Sequence, residues 1–244
     1  MSTVLIYDDL GVDYQSPQGL IDGFKEILDP SIKVERVSAQ TLRSQGWEKD
    51  TCALVFGAGT PSIWDESLGT EGRKNIRDFV AVHGGAYFGA CSAAMFVAEQ
   101  SQFGPMIKKR GIDFFPGKAI GPLKPVENYR DIAAASAEKV TFTFENTSLT
   151  GCLYNQGGCY FEPSIYDAEN IQVIATYEDS KPAAVFCKVG KGRAFLMGPH
   201  VEFSPKPLYH IPDPRIVNLA RVLRSQESFR KAIFKGIATL LRLR

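Results

Sequence analysis

Gly84-Gly85-Ala86-Tyr87-Phe88-Gly89-Ala90-Cys91-Ser92-Ala93-Ala94-Met95-Phe96 joins an apolar strand directly to a helix, the junction typical of an α/β fold. Ala86-Tyr87-Phe88 is a brief apolar strand that runs, with no linker, into the Ala-rich start of a helix. Within it, Gly89-Ala90-Cys91-Ser92-Ala93 has the glycine, nucleophile and small-residue spacing of a nucleophile elbow. Small neighbours are needed there because the chain turns sharply from strand to helix and the two approach closely. The position favours a thiolate at Cys91, since a helix start offers unpaired N–H groups and a partial positive charge; the Ser92 N–H can act as an oxyanion donor. The phrase alone leaves the alternative open that Cys91 is a small buried hydrophobe, the usual fate of a core cysteine.

Upstream of the elbow, short apolar runs alternate with helical patterns from Thr3 to about Glu99, as a parallel sheet with crossover helices does. Strands are expected at 4–7, 32–37 and 52–56; the last is continuously apolar, as in a strand buried on both faces, and 32–37 alternates imperfectly, as near a sheet edge. Helices are expected at 17–28, with Leu20, Phe24, Ile27 and Leu28 at helical spacing behind Pro17, and at 71–82, stopped by Gly84 and Gly85. Beyond Gln100 the pattern changes to strands at 112–115, 139–144, 152–161, 171–177, 183–189 and 193–197, the last two joined by the hairpin signal Gly190-Lys191-Gly192. Residues 215–243 carry Ile216, Leu219, Ala220, Leu223, Ile233, Ile237, Leu240 and Leu241 at amphipathic intervals, which predicts a helix or helix pair packing back on the core.

The expected architecture is therefore α/β and three-layered, a mostly parallel sheet flanked by helices in flavodoxin-like fashion. Hairpins are added in the second half, and an amphipathic helix closes the chain. A single domain over 1–244 is expected, with a core at about 3–203 and a helical extension at about 214–244.

Composition agrees. A 244-residue chain with 44% hydrophobic and 23% charged residues can bury a sizeable core, and it excludes disordered, fibrous and membrane classes. Five cysteines, irregularly spaced and without a CxxC pair, form neither a disulfide framework nor a zinc site, so no metal and no cofactor is called for. A reducing compartment fits; the N-terminus lacks the basic region of a signal peptide, no run nears the roughly 20 apolar residues of a membrane span, and the cytoplasm is expected. The end of the chain is basic: Arg215, Arg221, Arg224, Arg230, Lys231, Lys235, Arg242 and Arg244 face one acid, Glu227. A solvated helix face is the expected use; contact with a protein partner is the alternative, and no nucleic-acid partner is expected.

Three further segments bear on Cys91. Gly198-Pro199-His200-Val201-Glu202 follows a predicted strand, so His200 can sit beside a nucleophile on a neighbouring strand as its base, with Glu202 fixing the imidazole. Phe56-Gly57-Ala58-Gly59 closes another strand at the sheet edge where ligands bind, and Ala58 or Gly59 can supply a second oxyanion donor; a plain tight turn is the alternative. Tyr154-Asn155-Gln156-Gly157-Gly158-Cys159-Tyr160 sets amide and phenol groups on a glycine turn, which either lines a pocket with Tyr154, Asn155, Gly157 and Gly158 or is only a hairpin. Cys152 and Cys159 read as structural, His83 as a helix cap and His210 as an exposed loop residue.

Taken in order, Phe56-Gly57-Ala58-Gly59, the stretch from Gly84 to Ala93, Tyr154 to Phe161 and Gly198 to Phe203 resemble the N-terminal domain of eukaryotic biotin-protein ligases, within the class I glutamine-amidotransferase-like superfamily. The resemblance implies Cys91 as nucleophile, His200 as base, Glu202 as its orienter, and Ala58, Gly59 and Ser92 as the oxyanion site. It stops at two points: glutamine amidotransferases usually carry glycine and glutamine where this chain has Ala93 and Met95, and no Gly-Arg-rich biotinyl-adenylate loop is present. The expectation is a cysteine-dependent amidase or acyl-transfer enzyme taking a small amide or carboxylate ligand, and not a biotin ligase. The alternatives are a non-catalytic metabolite-binding or regulatory module, and a redox or chaperone-like relative with the same elbow.

Overall fold

The structure is a computed structural model, which describes residues 2–125, 128, 131–145, 147–164 and 169–243. In the first half, β1 (Thr3–Tyr7), α1 (Ser16–Ile27), β2 (Lys33–Val37), α2 (Ala39–Arg43), β3 (Thr51–Phe56), α3 (Pro61–Ala81), β4 (Ala86–Ala90) and α4 (Ser92–Phe96) alternate strand and helix. Then come the strands β5 (Ala98–Phe103), β6 (Met106–Lys108), β7 (Phe115–Gly121), β8 (Ala135–Phe144), β9 (Thr147–Gln156), β10 (Tyr160–Pro163), β11 (Ile171–Tyr177), β12 (Pro182–Val189) and β13 (Gly192–Met197). Helices α5 (Pro214–Ser225) and α6 (Glu227–Leu240) follow.

Among the described residues the large sheet has the order β2-β1-β3-β4-β13-β12-β11-β8-β9. Its first five strands are parallel neighbours, and the rest, the hairpins of the second half, join antiparallel. The period-two alternation of a strand sorts its side chains onto two faces. Val4, Ile6, Ala53, Val55, Phe88 and Phe195 pack with Leu20 and Phe24 of α1 and with Phe234 and Ile237 of α6. Leu5, Tyr7, Leu54, Phe56, Tyr87 and Leu196 pack with Trp64, Leu68 and Phe79 of α3 and with a second sheet, ordered β10-β7-β5-β6. The expected three layers are present, with the small sheet sharing one of them with α3.

The strand expected at 139–144 begins at Ala135, and α2, β5 and β6 were not expected; four further departures have a physical reason. The helix expected at 71–82 begins at Pro61; Gly69 (φ 59, ψ −169) kinks it, and its first part buries only Trp64 and Leu68 among polar residues, too sparse a stripe to read. The strand expected at 112–115 starts at Phe115, because Ile112 and Phe114 plug the core from a loop instead of pairing. The strand expected at 152–161 is two strands in different sheets, parted at Gly157 and Gly158, so this turn is not a hairpin. The Ala-rich helix after Cys91 is the single turn α4, five residues long, so the macrodipole expected to favour a thiolate there is small.

The C-terminal helix pair packs as expected. Ile216, Leu219, Ala220 and Leu223 of α5 cover Tyr154, while Phe234 of α6 meets Phe24 edge-on at 5.4 Å. Part of the basic character is used internally: Arg230 pairs with Glu227 and donates to the Val201 carbonyl (3.0 Å), Lys231 pairs with Glu26, and Arg215 with Asp213. Arg244 lies outside the described residues. Among the described residues no helix is long and apolar enough to cross a membrane.

Candidate active site

The site is assembled where β4 ends. Cys91 sits at φ 52 and ψ −112, a backbone conformation that costs a non-glycine residue about 1–3 kcal/mol and survives only where its surroundings enforce it. Here its N–H donates to Met197 O (2.8 Å), carrying the β4–β13 pairing one residue past the strand, and its carbonyl accepts from Met95 N (3.1 Å). Because β13 lies directly beside β4, the turn that follows β13 reaches the elbow although it is about a hundred residues away in sequence.

That turn holds His200 and Glu202. The His200 N–H donates to Tyr154 O (2.8 Å), anchoring the turn on β9, while its ring Nδ1 lies 2.9 Å from Glu202 Oε1. Both side chains are buried, and Cys91 lies near enough to the imidazole to raise its basicity. Ser16, the first residue of α1, donates its hydroxyl to the same Glu202 oxygen (3.0 Å). Glu202 Oε2 is buried without a hydrogen-bond partner among the described residues. Burial alone depresses the basicity of His200. The negative charge and hydrogen bond of Glu202, with the nearness of Cys91, outweigh it and raise the imidazole from 6.5 to about 10. Burial likewise disfavours ionised Glu202, and the His200 charge together with the His200 and Ser16 hydrogen bonds reverses this, holding the carboxyl below its usual range.

The remaining expected residues divide. The turn with Ala58 and Gly59 does lie against the elbow, but both of its N–H groups are engaged by hydroxyls: Ala58 N donates to Ser16 Oγ and Gly59 N to Ser92 Oγ, each at 2.9 Å. Tyr154 is a wall of the site, its ring 5.8 Å from that of His200. Asn155 is buried with its Oδ1 unpartnered among the described residues, and Gly157 and Gly158 sit at φ 85 and 67. A Cβ on Gly158 would come within 2.0 Å of Asn155 Oδ1, so glycine is required there. Cys159 is fully buried, its sulfur 3.9 Å from the Cys91 carbonyl and its thiol pushed up by burial. His83 and His210 are exposed.

Sequence reading missed Ser16, whose role shows only in three dimensions, and it missed a cavity of about 230 Å³ on the His200 side of the elbow, lined in part by Tyr14, Tyr154 and Phe203. Phe203 stands edge-on to His200 at 4.9 Å. The Asp13 N–H donates to Ala58 O, which ties the loop before α1 to the Ala58-Gly59 turn. No three His, Cys, Asp or Glu side chains among the described residues are grouped to hold a metal ion.

Residues 2–244 match the family described as Biotin-protein ligase, N terminal. The chain belongs to that family. An uncharacterized protein of Chlamydia muridarum is 32% identical over 218 residues, which cover 84% of this chain and 82% of the relative. The biotin–protein ligase of Schizosaccharomyces pombe is 31% identical over 216 residues, covering 82% of this chain but 33% of that protein, so the chain spans about a third of the ligase's length. Among solved structures, a glutamine amidotransferase superposes with a TM-score of 0.60 at 16% identity, over 90% of this chain and 99% of the other. The likeness is one of fold: this member of the biotin-protein ligase N-terminal family has a glutamine amidotransferase-like α/β architecture.

Proposed function

We propose that the chain is a cysteine-dependent amidase or acyl-transfer enzyme. Cys91 attacks the carbonyl carbon of a carboxamide, the amine leaves with a proton from His200, and water or a second amine takes the acyl group from the thioester. One observation carries this reading: the buried relay from Ser16 through Glu202 and His200 to a cysteine held at positive φ. With His200 raised to about 10, the imidazolium is the resting form at neutral pH, suited to protonating a leaving amine. Glu202 orients the ring and stabilises its charge, and Ser16 orients Glu202. The Ser92 N–H, first in α4 and without an intrahelical acceptor, is the oxyanion donor; Ala58 and Gly59 contribute once their hydroxyl partners release them. Tyr154 lines the substrate side, and Asn155, Gly157 and Gly158, which are not in the lining of the cavity, hold the turn that follows it.

Ala93 and Met95 are buried in the apolar core, away from the lining of the cavity, so free glutamine is not the proposed amide. Biotin ligation is not proposed either. The engaged Ala58 and Gly59 donors, with Cys91 only 8% exposed, favour a second reading: a metabolite-binding or regulatory module that keeps the fold without turnover.

Alkylation of Cys91 by iodoacetamide, mapped by peptide mass against pH, separates the two. An enzyme of the proposed kind alkylates at Cys91 well below the ordinary thiol value of about 8.5, and His200→Ala abolishes that low-pH reactivity. A rate that merely follows an ordinary thiol titration removes the catalytic reading and leaves the binding module.

A further inference from the structure

We infer that the cavity beside His200 is a binding site for an alkylammonium group, so that the substrate is an amide carrying a cationic amine; the substrate part of this rests on the cysteine-dependent reading above. At about 230 Å³ the cavity has room for roughly eight water-sized groups, enough for a short alkyl chain and its head. Three aromatic rings, Tyr14, Tyr154 and Phe203, line it, together with the apolar Leu208 and the neutral Gln156; Asp13 is the only formally charged side chain of its described lining. Tyr154 and Phe203 lie 4.9 Å apart with a 33° tilt, an aromatic wall leading toward His200.

Aromatic faces grouped around a carboxylate are the chemistry that recognises an ammonium ion, through the ring quadrupoles and a direct charge. The potential in the cavity has the same sign. Burial pushes the Tyr154 phenol upward, and the nearby Asp13 carboxylate adds to it, which places a negative charge beside this wall of the cavity. The His200 imidazolium does not reverse this, because Glu202 already pairs with it. A free carboxylate entering the cavity would face Asp13 with no lysine or arginine in the described lining to receive it.

The test uses the full chain as the Cys91→Ser variant, so that binding is read independently of sulfur chemistry. n-Butylammonium chloride and sodium butyrate are titrated calorimetrically at equal ionic strength. The expected result is binding of butylammonium at least about tenfold tighter than butyrate, with Asp13→Asn weakening it about tenfold at unchanged Tm. Phe203→Leu, which keeps the apolar contact but removes the π face, weakens butylammonium further. Equal or tighter binding of butyrate, indifference to Asp13→Asn, or no binding of either ion overturns the inference. If butylammonium binds but Cys91 of the unmodified chain alkylates as an ordinary thiol, the ammonium site stands and the catalytic reading falls. The converse pattern leaves the enzyme and removes the ammonium site.

Discussion

At the end of β4 the chain leaves the large sheet through Cys91, at φ 52, and resumes in the small sheet as β5; at the end of β9 it leaves through Gly157 and Gly158, at φ 85 and 67, and resumes as β10. The two exits do the same topological work with opposite residue types. Glycine adopts a positive φ at no steric cost, whereas an L-residue with a Cβ gives up about 1–2 kcal/mol there. The second exit is therefore a relaxed turn. The first is a strained one, held by hydrogen bonds to Met197 and Met95, and the side chain it keeps in place is the sulfur facing His200. Strain is retained where a side chain must be presented, and is absent where only the chain must turn.

The largest test of that contrast removes the charge that supports the strained exit. Glu202→Gln strands the buried His200 imidazolium, and the expected loss is about 3–5 kcal/mol in urea unfolding. The pH dependence carries the same signature. His200 is raised from 6.5 to about 10, so its contribution is complete below 6.5 and is lost as pH rises through about 10. Glu202 is lowered from 4.5, so its contribution is complete above that value and is lost as pH falls. Stability of the unmodified chain is expected to decline on both sides of this window, and the alkaline decline is expected to flatten in Glu202→Gln. A variant that keeps the full alkaline decline would show that the Glu202–His200 pair does not govern it.

The next test puts strain into the relaxed exit. Gly158→Ala places a Cβ at φ 67 and within 2.0 Å of Asn155 Oδ1, with an expected loss of about 2 kcal/mol. An unchanged unfolding midpoint would mean that the turn tolerates a side chain after all. The smallest effect comes from relaxing the strained exit. Cys91→Gly is expected to be more stable than Cys91→Ala by about 1 kcal/mol, the reverse of the usual order of these residues. The usual order, alanine above glycine, would show that the elbow stores no strain.

Much of this was legible along the chain. The runs 4–7, 17–28, 32–37 and 52–56 specified the parallel half because short apolar strands alternate with a helical repeat, and a two-sided apolar strand such as β3 has few other places to go. The elbow was legible because its small residues are adjacent in sequence, as were His200 and Glu202, whose 2.9 Å contact spans only two positions. The long start of α3 was not, since Trp64 and Leu68 are its only buried apolar side chains before Gly69 interrupts it, and Ile63 is exposed. The split at Gly157 was not either, because paired glycines signal a turn without saying to which sheet the chain returns.

The α/β class, the elbow at Cys91 and the pairing of His200 with Glu202 can all be read along the chain. Each of these is a matter of periodicity or of neighbours along the chain. Only the tertiary structure decided that β13 lies against β4, that Ser16 orients Glu202, that the Ala58 and Gly59 donors are engaged, and that Asp13, Tyr154 and Phe203 enclose one cavity. These join residues that are tens to nearly two hundred positions apart, and their meeting depends on which strands pair, a choice made by burial of the whole sheet and not by any local pattern.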